Sequence, residues 1–124
     1  MLERLETMHR RGYTHADIKP ENMLMGMNEK SNTVHFIDFG LTRTVIDKQT
    51  KLHVPLVMRK GLSGTSRYVS INGHRGYTLS RRDDLISVGY MVVRFITGSL
   101  PWQKIKTRST SPFDREIGIS KSHY

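Results

Sequence analysis

Near the start of the chain, Leu2, Leu5 and Met8 recur every three positions, with Glu3, Arg4, Glu6 and Arg10 elsewhere on the turn. That spacing predicts a helix over residues 1–11, stopped by Gly12, with His9 on its solvent surface. No capping residue precedes it, so either translation begins inside an element or an upstream part is missing. Met23–Met25 and Val34–Ile37 are short apolar runs. The link between them contains Gly26, Asn28, Ser31 and Asn32, which predicts a hairpin. Residues 41–80 carry few periodic apolar positions and read as an extended loop crossing the front of a site, the usual meaning of so long a loop. Residues 83–97 are apolar nearly all round (Leu85, Ile86, Val88, Met91, Val92, Val93, Phe95, Ile96). They predict a central, buried helix, capped by Ser80 or Asp83 and ended by Gly98. Leu100-Pro101-Trp102 marks a turn with a packed indole. From Thr107 the periodicity dissolves, so residues 107–124 read as an irregular or disordered tail. There are no internal repeats.

Composition narrows the class. The 124 residues suffice for one domain with a modest core. Hydrophobic residues make up 36% and charged ones 25%, which suits a soluble globular protein. No run of 18 apolar residues exists, so no membrane-spanning helix or membrane partner is expected. The N-terminus carries no signal-peptide core. With no cysteine, disulfides and thiolate metal sites are excluded, which fits an intracellular protein of the cytoplasm or nucleus. The net charge of +9 admits nucleic acid, nucleotide phosphates or acidic protein substrates as partners. The basic residues do not alternate with aromatics, and no nucleic-acid fold motif is present. The phosphate and acidic-substrate reading is therefore preferred, and nucleic acid is not an expected partner. Lys60, Arg67, Arg75, Arg81 and Arg82 give the long loop and its end a basic character suited to an anion.

The chemistry concentrates in His15-Ala16-Asp17-Ile18-Lys19-Pro20-Glu21-Asn22, followed downstream by Asp38-Phe39-Gly40. A carboxylate, an ammonium and an amide within six residues resemble the catalytic loop of protein kinases, His-Arg-Asp-x-x-x-x-Asn. Phosphoryl transfer asks a protein mainly to position groups and neutralise charge. Asp17 would accept or orient the proton of an attacking hydroxyl. Lys19 would place a point charge near the γ-phosphate. Asn22 and Asp38 are hard oxygen donors suited to Mg²⁺. Glu21, inside the same pattern, is grouped with Lys19, Asn22 and Asp38 on the nucleotide-binding side. If the hairpin forms, Asn22 and Asp38 stand at the outer ends of its two strands, close in space. His15 is expected to pack and bond loop backbone rather than touch substrate; a His15/Asp17 metal site lacks a third ligand at a telling spacing. A plain polar loop with capping aspartates would explain each residue, though not their joint spacing.

A finer resemblance rests on Leu62-Ser63-Gly64-Thr65-Ser66-Arg67-Tyr68-Val69-Ser70-Ile71-Asn72, Ser80-Arg81-Arg82-Asp83-Asp84-Leu85, Gly89-Tyr90 and Gly98-Ser99-Leu100-Pro101-Trp102-Gln103. These resemble the casein kinase 1 family of serine/threonine protein kinases, in which Ser-Ile-Asn stands where most kinases carry Ala-Pro-Glu. The resemblance covers about residues 1–106. It implies an α+β fold, the mainly helical C-terminal lobe of the protein kinase fold with a small β-hairpin and the N-lobe absent. It also implies ATP and Mg²⁺ as cofactors, and protein substrates with Ser/Thr in an acidic or phosphorylated context. By position, Asp17 resembles the catalytic base, Lys19 the phosphate-contacting lysine, and Asn22 and Asp38 the metal ligands. Asp84 resembles the carboxylate that holds the catalytic-loop backbone. Lys60 and Arg67, with Gln103, resemble the family's substrate anion site; the alternative for Lys60 is an ordinary exposed lysine. Three departures stand out. Ala16 replaces an arginine. No glycine-rich loop, strand lysine or partner glutamate lies upstream. The tail does not resemble the helices that cover the base of the family's central helix. A truncated, inactive fragment acting at most as a binding module is the rival expectation.

Overall fold

The computed structural model describes residues 1–59, 63–104, 117 and 119–122. Helix α1 spans Leu2–Arg10. Its inward face is formed by Leu5 and His9, and Leu2 is exposed. Residues four apart share a helix face, so His9 follows Leu5 inward. The surface position expected for His9 is thus corrected: its ring is buried against a carboxylate of the long helix. Gly12 follows in the left-handed region, with φ 83°, and turns the chain where an L side chain would be strained.

Four short strands come next: β1 (Tyr13–Thr14), β2 (Met23–Met25), β3 (Val34–Phe36) and β4 (Arg43–Thr44). The expected hairpin is present as the antiparallel pair β2–β3, with Met23 opposite Phe36 and Met25 opposite Val34. A second antiparallel pair joins β1 to β4, Tyr13 opposite Thr44. The segment 13–22 thus holds a strand and, within the loop pattern His15–Asn22, a 3₁₀ turn at Pro20–Asn22. Proline suits the first position of such a turn because its missing N–H would have no partner there.

The stretch 41–80 also differs from an open loop. Besides β4 it contains single bridges between Ile46 and His53 and between Met58 and Tyr77, and the one-turn helix α2 (Ile71–His74). Ser70 caps α2 by accepting the Gly73 N–H at 3.1 Å. Helix α3 spans Arg81–Thr97 after Ser80, whose backbone N–H donates to the Asp83 carboxylate at 2.7 Å. Gly98, φ 77°, closes it with its N–H on the Arg94 carbonyl.

Burial of α3 is one-sided. Asp83, Asp84, Ser87, Val88 and Met91 face inward, while Leu85, Val92, Val93, Phe95 and Ile96 are exposed. This corrects the expectation of an all-round buried helix, because the described elements cover one face only. The core has three parts: Leu5, Ile18 and Val88; Ala16, Val69 and Leu79; and Tyr68, Met91, Leu100, Trp102 and Ile117. In the segment 107–124, expected to be irregular, the described residues are 117 and 119–122. Residues 117 and 119–121 are helical, and Ile117 and Lys121, four apart, are buried. Among the described residues no helix is long and apolar enough to cross a membrane.

Candidate active site

The first turn of α3 anchors the loop that follows β1. Asp84 is 2% exposed. Its Oδ2 accepts the His15 backbone N–H at 2.9 Å and its Oδ1 accepts the Ala16 N–H at 2.9 Å. His9 reaches the same Oδ2 through Nε2 at 2.8 Å, as donor, since a carboxylate can only accept. Two buried loop amides are thereby paired, and an otherwise costly buried carboxylate is satisfied. Asp84 also holds Ala16 at φ 66°, a conformation an alanine adopts only under constraint. Its neighbour Asp83 accepts the Ser70 hydroxyl at 2.6 Å and so ties the cap of α2 to the start of α3. Adjacent acidic residues thus fix two different segments to one helix end.

With the loop held, Asp17 becomes the meeting point. Lys19 Nζ approaches its Oδ2 to 2.7 Å, and Asn22 Nδ2 donates to the same oxygen at 3.0 Å. The Thr65 hydroxyl donates to Oδ1 at 2.8 Å. Burial raises the carboxyl's pKa, but the hydrogen bonds from Lys19, Thr65 and Asn22 and the Lys19 charge outweigh it, and the net direction is down. Asp17 is therefore an anion at neutral pH, beside an ammonium. Thr65 also accepts from Lys19 Nζ at 3.1 Å and so bridges both charged groups. Gly64 lets the chain come this close: at φ 97°, a Cβ there would sit 2.8 Å from the Ala16 carbonyl oxygen. Sequence reading assigned Thr65 no role. The signal lay in the Gly64-Thr65 pair, but only the fold reveals which loop it meets.

Asn22 is buried at the end of the 3₁₀ turn and spends Nδ2 on both the Asp17 carbonyl, 2.9 Å, and the Asp17 carboxylate. Its Oδ1 remains as the donor atom for a cation. The hairpin continues beyond its register: the Ile37 N–H donates to the Asn22 carbonyl at 3.0 Å, so Asp38 follows directly on the residue paired with Asn22. Asp38 is exposed, at φ 60°, and accepts the Gly40 N–H at 3.2 Å. Asp17 and Asn22 are in direct contact, whereas Asp38 stands at the adjoining strand end without a hydrogen bond to either. His15 is fully buried, with Nε2 3.0 Å from the Ile37 carbonyl oxygen and its ring 5.5 Å from Phe36 and 5.4 Å from Phe39. It packs beneath the site.

The donor set fits a hard cation. Asn22 and Asp38 offer oxygen, and among the described residues no group of three His, Cys, Asp or Glu forms a closed cage. Mg²⁺ needs few protein ligands, because it keeps waters and phosphate oxygens in its shell. Glu21 lies exposed on the 3₁₀ turn and is not bonded to Asp17, Lys19 or Asn22. Arg67 and Gln103 do come together, lining one pocket of about 280 Å³ with Thr65, Ser66, Trp102 and Ile117. Gln103 Oε1 caps the Leu100 N–H, and the Trp102 indole donates to the Arg67 carbonyl at 2.8 Å. Lys60, the third residue of that expected set, lies outside the described residues.

The pinned loop thus carries an ionised aspartate, a neighbouring lysine and a buried asparagine, and the Asp-Phe-Gly segment begins one residue past the Ile37–Asn22 bond. The family model of the protein kinase domain matches residues 1–121, and the chain belongs to the protein kinase domain family.

Proposed function

We propose that the chain carries the catalytic-lobe half of a casein-kinase-1-like serine/threonine kinase, which transfers the γ-phosphoryl group of ATP to Ser/Thr hydroxyls of acidic or phosphorylated proteins. Kinases of this family generally use ATP and Mg²⁺. The observation that carries the reading is the Asp17 carboxylate, kept ionised and aimed by Lys19, Asn22 and Thr65. A hydroxyl arriving at Asp17 finds an acceptor for its proton and an orientation fixed on three sides. Lys19, shared between Asp17 and Thr65, is placed to offer positive charge to a transferring phosphoryl group. Asp84 keeps the loop in register from behind. When bound, Mg²⁺ would supply charge neutralisation at the phosphates, held by Asn22 Oδ1 and the Asp38 carboxylate. Arg67, beside Gln103 in their common pocket, supports a preference for anionic residues near the acceptor. An intracellular setting, cytoplasm or nucleus, belongs to the same reading.

A second reading, a binding module without transfer, draws on the hairpin. Leu24, Met25 and Met27 are exposed there, as are Ile37 and Phe39 beside the site. Incubating the purified chain with Mg-ATP and casein separates the two readings. Transfer that falls at least a hundredfold in Asp17→Asn and in Asp38→Ala is expected of the kinase. Undetectable transfer, or transfer indifferent to both substitutions, leaves the binding module.

A further inference from the structure

Lys121 is only 3% exposed, yet it belongs to no part of the site described so far. Its Nζ donates to the Ser66 carbonyl at 2.8 Å and to the Val69 carbonyl at 2.7 Å, and stands 3.1 Å from His74 Nε2. The rings of Tyr90 and Trp102 lie 4.9 and 5.0 Å away, at cation–π distance. Ser66 and Val69 flank a tight turn whose Tyr68 and Val69 amides both return to the Thr65 carbonyl, at 2.8 and 3.0 Å. The outward carbonyls of that turn are thus taken by Lys121, joined at Ser66 by His74 Nε2 at 3.1 Å, and, at Arg67, by Trp102. The side chain that opens the turn is Thr65, which holds Asp17 and Lys19.

We propose that Lys121 is a positioning residue: it clamps the Ser66 and Val69 carbonyls and thereby fixes the turn that presents Thr65 to Asp17 and Lys19. The coupling runs through three links of short hydrogen bonds, and each link is buried or half-buried. An ammonium suits the place because carbonyl dipoles and π faces surround it. Burial opposes this and lowers its pKa to about 7. Among the described residues, the titratable groups facing it are His74 from α2 and Tyr90 from α3. A neutral amine retains two N–H donors, enough for both carbonyls, so the clamp persists above that pH. The role of the clamp in transfer rests on the phosphoryl-transfer reading; the clamp itself does not.

Amide hydrogen exchange on the full chain tests it, comparing wild type with Lys121→Met, which keeps the apolar stem and removes every donor. Exchange at Tyr68 and Val69 is expected to accelerate at least tenfold, while the hairpin amides of Gly26 and Ile37, bonded to the Thr33 and Asn22 carbonyls, stay as they were. Lys121→Arg, which restores donors, should recover part of the protection. Unchanged exchange at Tyr68 and Val69 overturns the proposal, as does uniform acceleration across the chain. If Lys121→Met does not fold, the ¹³Cε resonance of Lys121 in the wild type decides. Ser66–Ser70 amide resonances that shift together with the Lys121 titration support the clamp; amides that stay unmoved through that titration overturn it. Where wild type shows transfer, Lys121→Met should lower kcat and leave KM for ATP nearly unchanged. Absence of transfer in the wild type would count against the kinase reading and leave the exchange result to judge the clamp.

Discussion

The two ends of α3 follow opposite rules. At its start, Asp83 and Asp84 are almost wholly buried, and at its end Ile96 is 79% exposed. By hydropathy the assignment should be reversed. It stands because each buried carboxylate oxygen has partners: His15, Ala16 and His9 for Asp84, and Ser70 and Ser80 for Asp83. A buried charge costs several kcal/mol unless its lone pairs are satisfied, and here they organise two loops in exchange for that cost. At the other end Arg94 holds the Tyr68 hydroxyl, while the apolar Phe95 and Ile96 side chains beside it stay exposed. Burial in this protein marks where the chain must be held rather than where it is greasiest.

Removing the anchor should give the largest effect. Asp84→Ala leaves the His15 and Ala16 amides buried without acceptors, and urea unfolding should show a loss of about 3 kcal/mol or more. Asp84→Asn keeps one carbonyl acceptor and should fall between it and wild type. A loss below about 1 kcal/mol in the alanine variant would mean that the loop holds itself, and the contrast between the two helix ends would collapse.

How far the sequence foretold this arrangement follows from the length of each signal. Helix α1 was legible from its period, α3 from a long apolar run between a cap and a glycine, and the β2–β3 hairpin from two apolar runs around Gly26, Asn28, Ser31 and Asn32. Strands β1 and β4 and helix α2 are two to four residues long and carry neither a period nor an apolar run. The residues from His15 to Asn22 were legible as chemistry because their spacing is local. Thr65, His9 and Lys121 were not. Their partners lie 48, 75 and 52 residues away, at Asp17, Asp84 and Val69, and no periodicity encodes such distances. Ile117 and Lys121 were hidden for a further reason: two inward residues in a polar segment look like noise until a pocket of Tyr68, Met91 and Trp102 receives them.

A milder perturbation probes the middle of the chain of bonds that starts at Asp84. The Asp17 pKa is held below its ordinary 3.8, with burial opposing and the bonds from Lys19, Thr65 and Asn22 prevailing. The unfolded chain therefore takes up this proton first as the pH falls. Stability from the cluster is complete above about pH 4 and is lost as the pH drops through the lower, folded value. Urea midpoints measured from pH 6 down to pH 2 should decline less steeply at the acid end in Asp17→Asn than in wild type. Parallel curves would show that the cluster adds nothing to stability and serves orientation alone.

The smallest effect should come from the exposed end of α3, and its smallness is the informative result. Ile96→Ala removes three carbons from a side chain that meets mostly water, so the expected change in unfolding free energy lies within about 0.5 kcal/mol. Met91→Ala, five residues earlier on the covered face, empties a place between Tyr68, Leu100 and Trp102 and should cost about 2–5 kcal/mol. The same helix, similar apolar volume and the same substitution then differ only in what stands opposite. Should Ile96→Ala cost as much as Met91→Ala, the outer face is covered in solution, and the opposition between the two ends of α3 would need to be redrawn as one between two kinds of core.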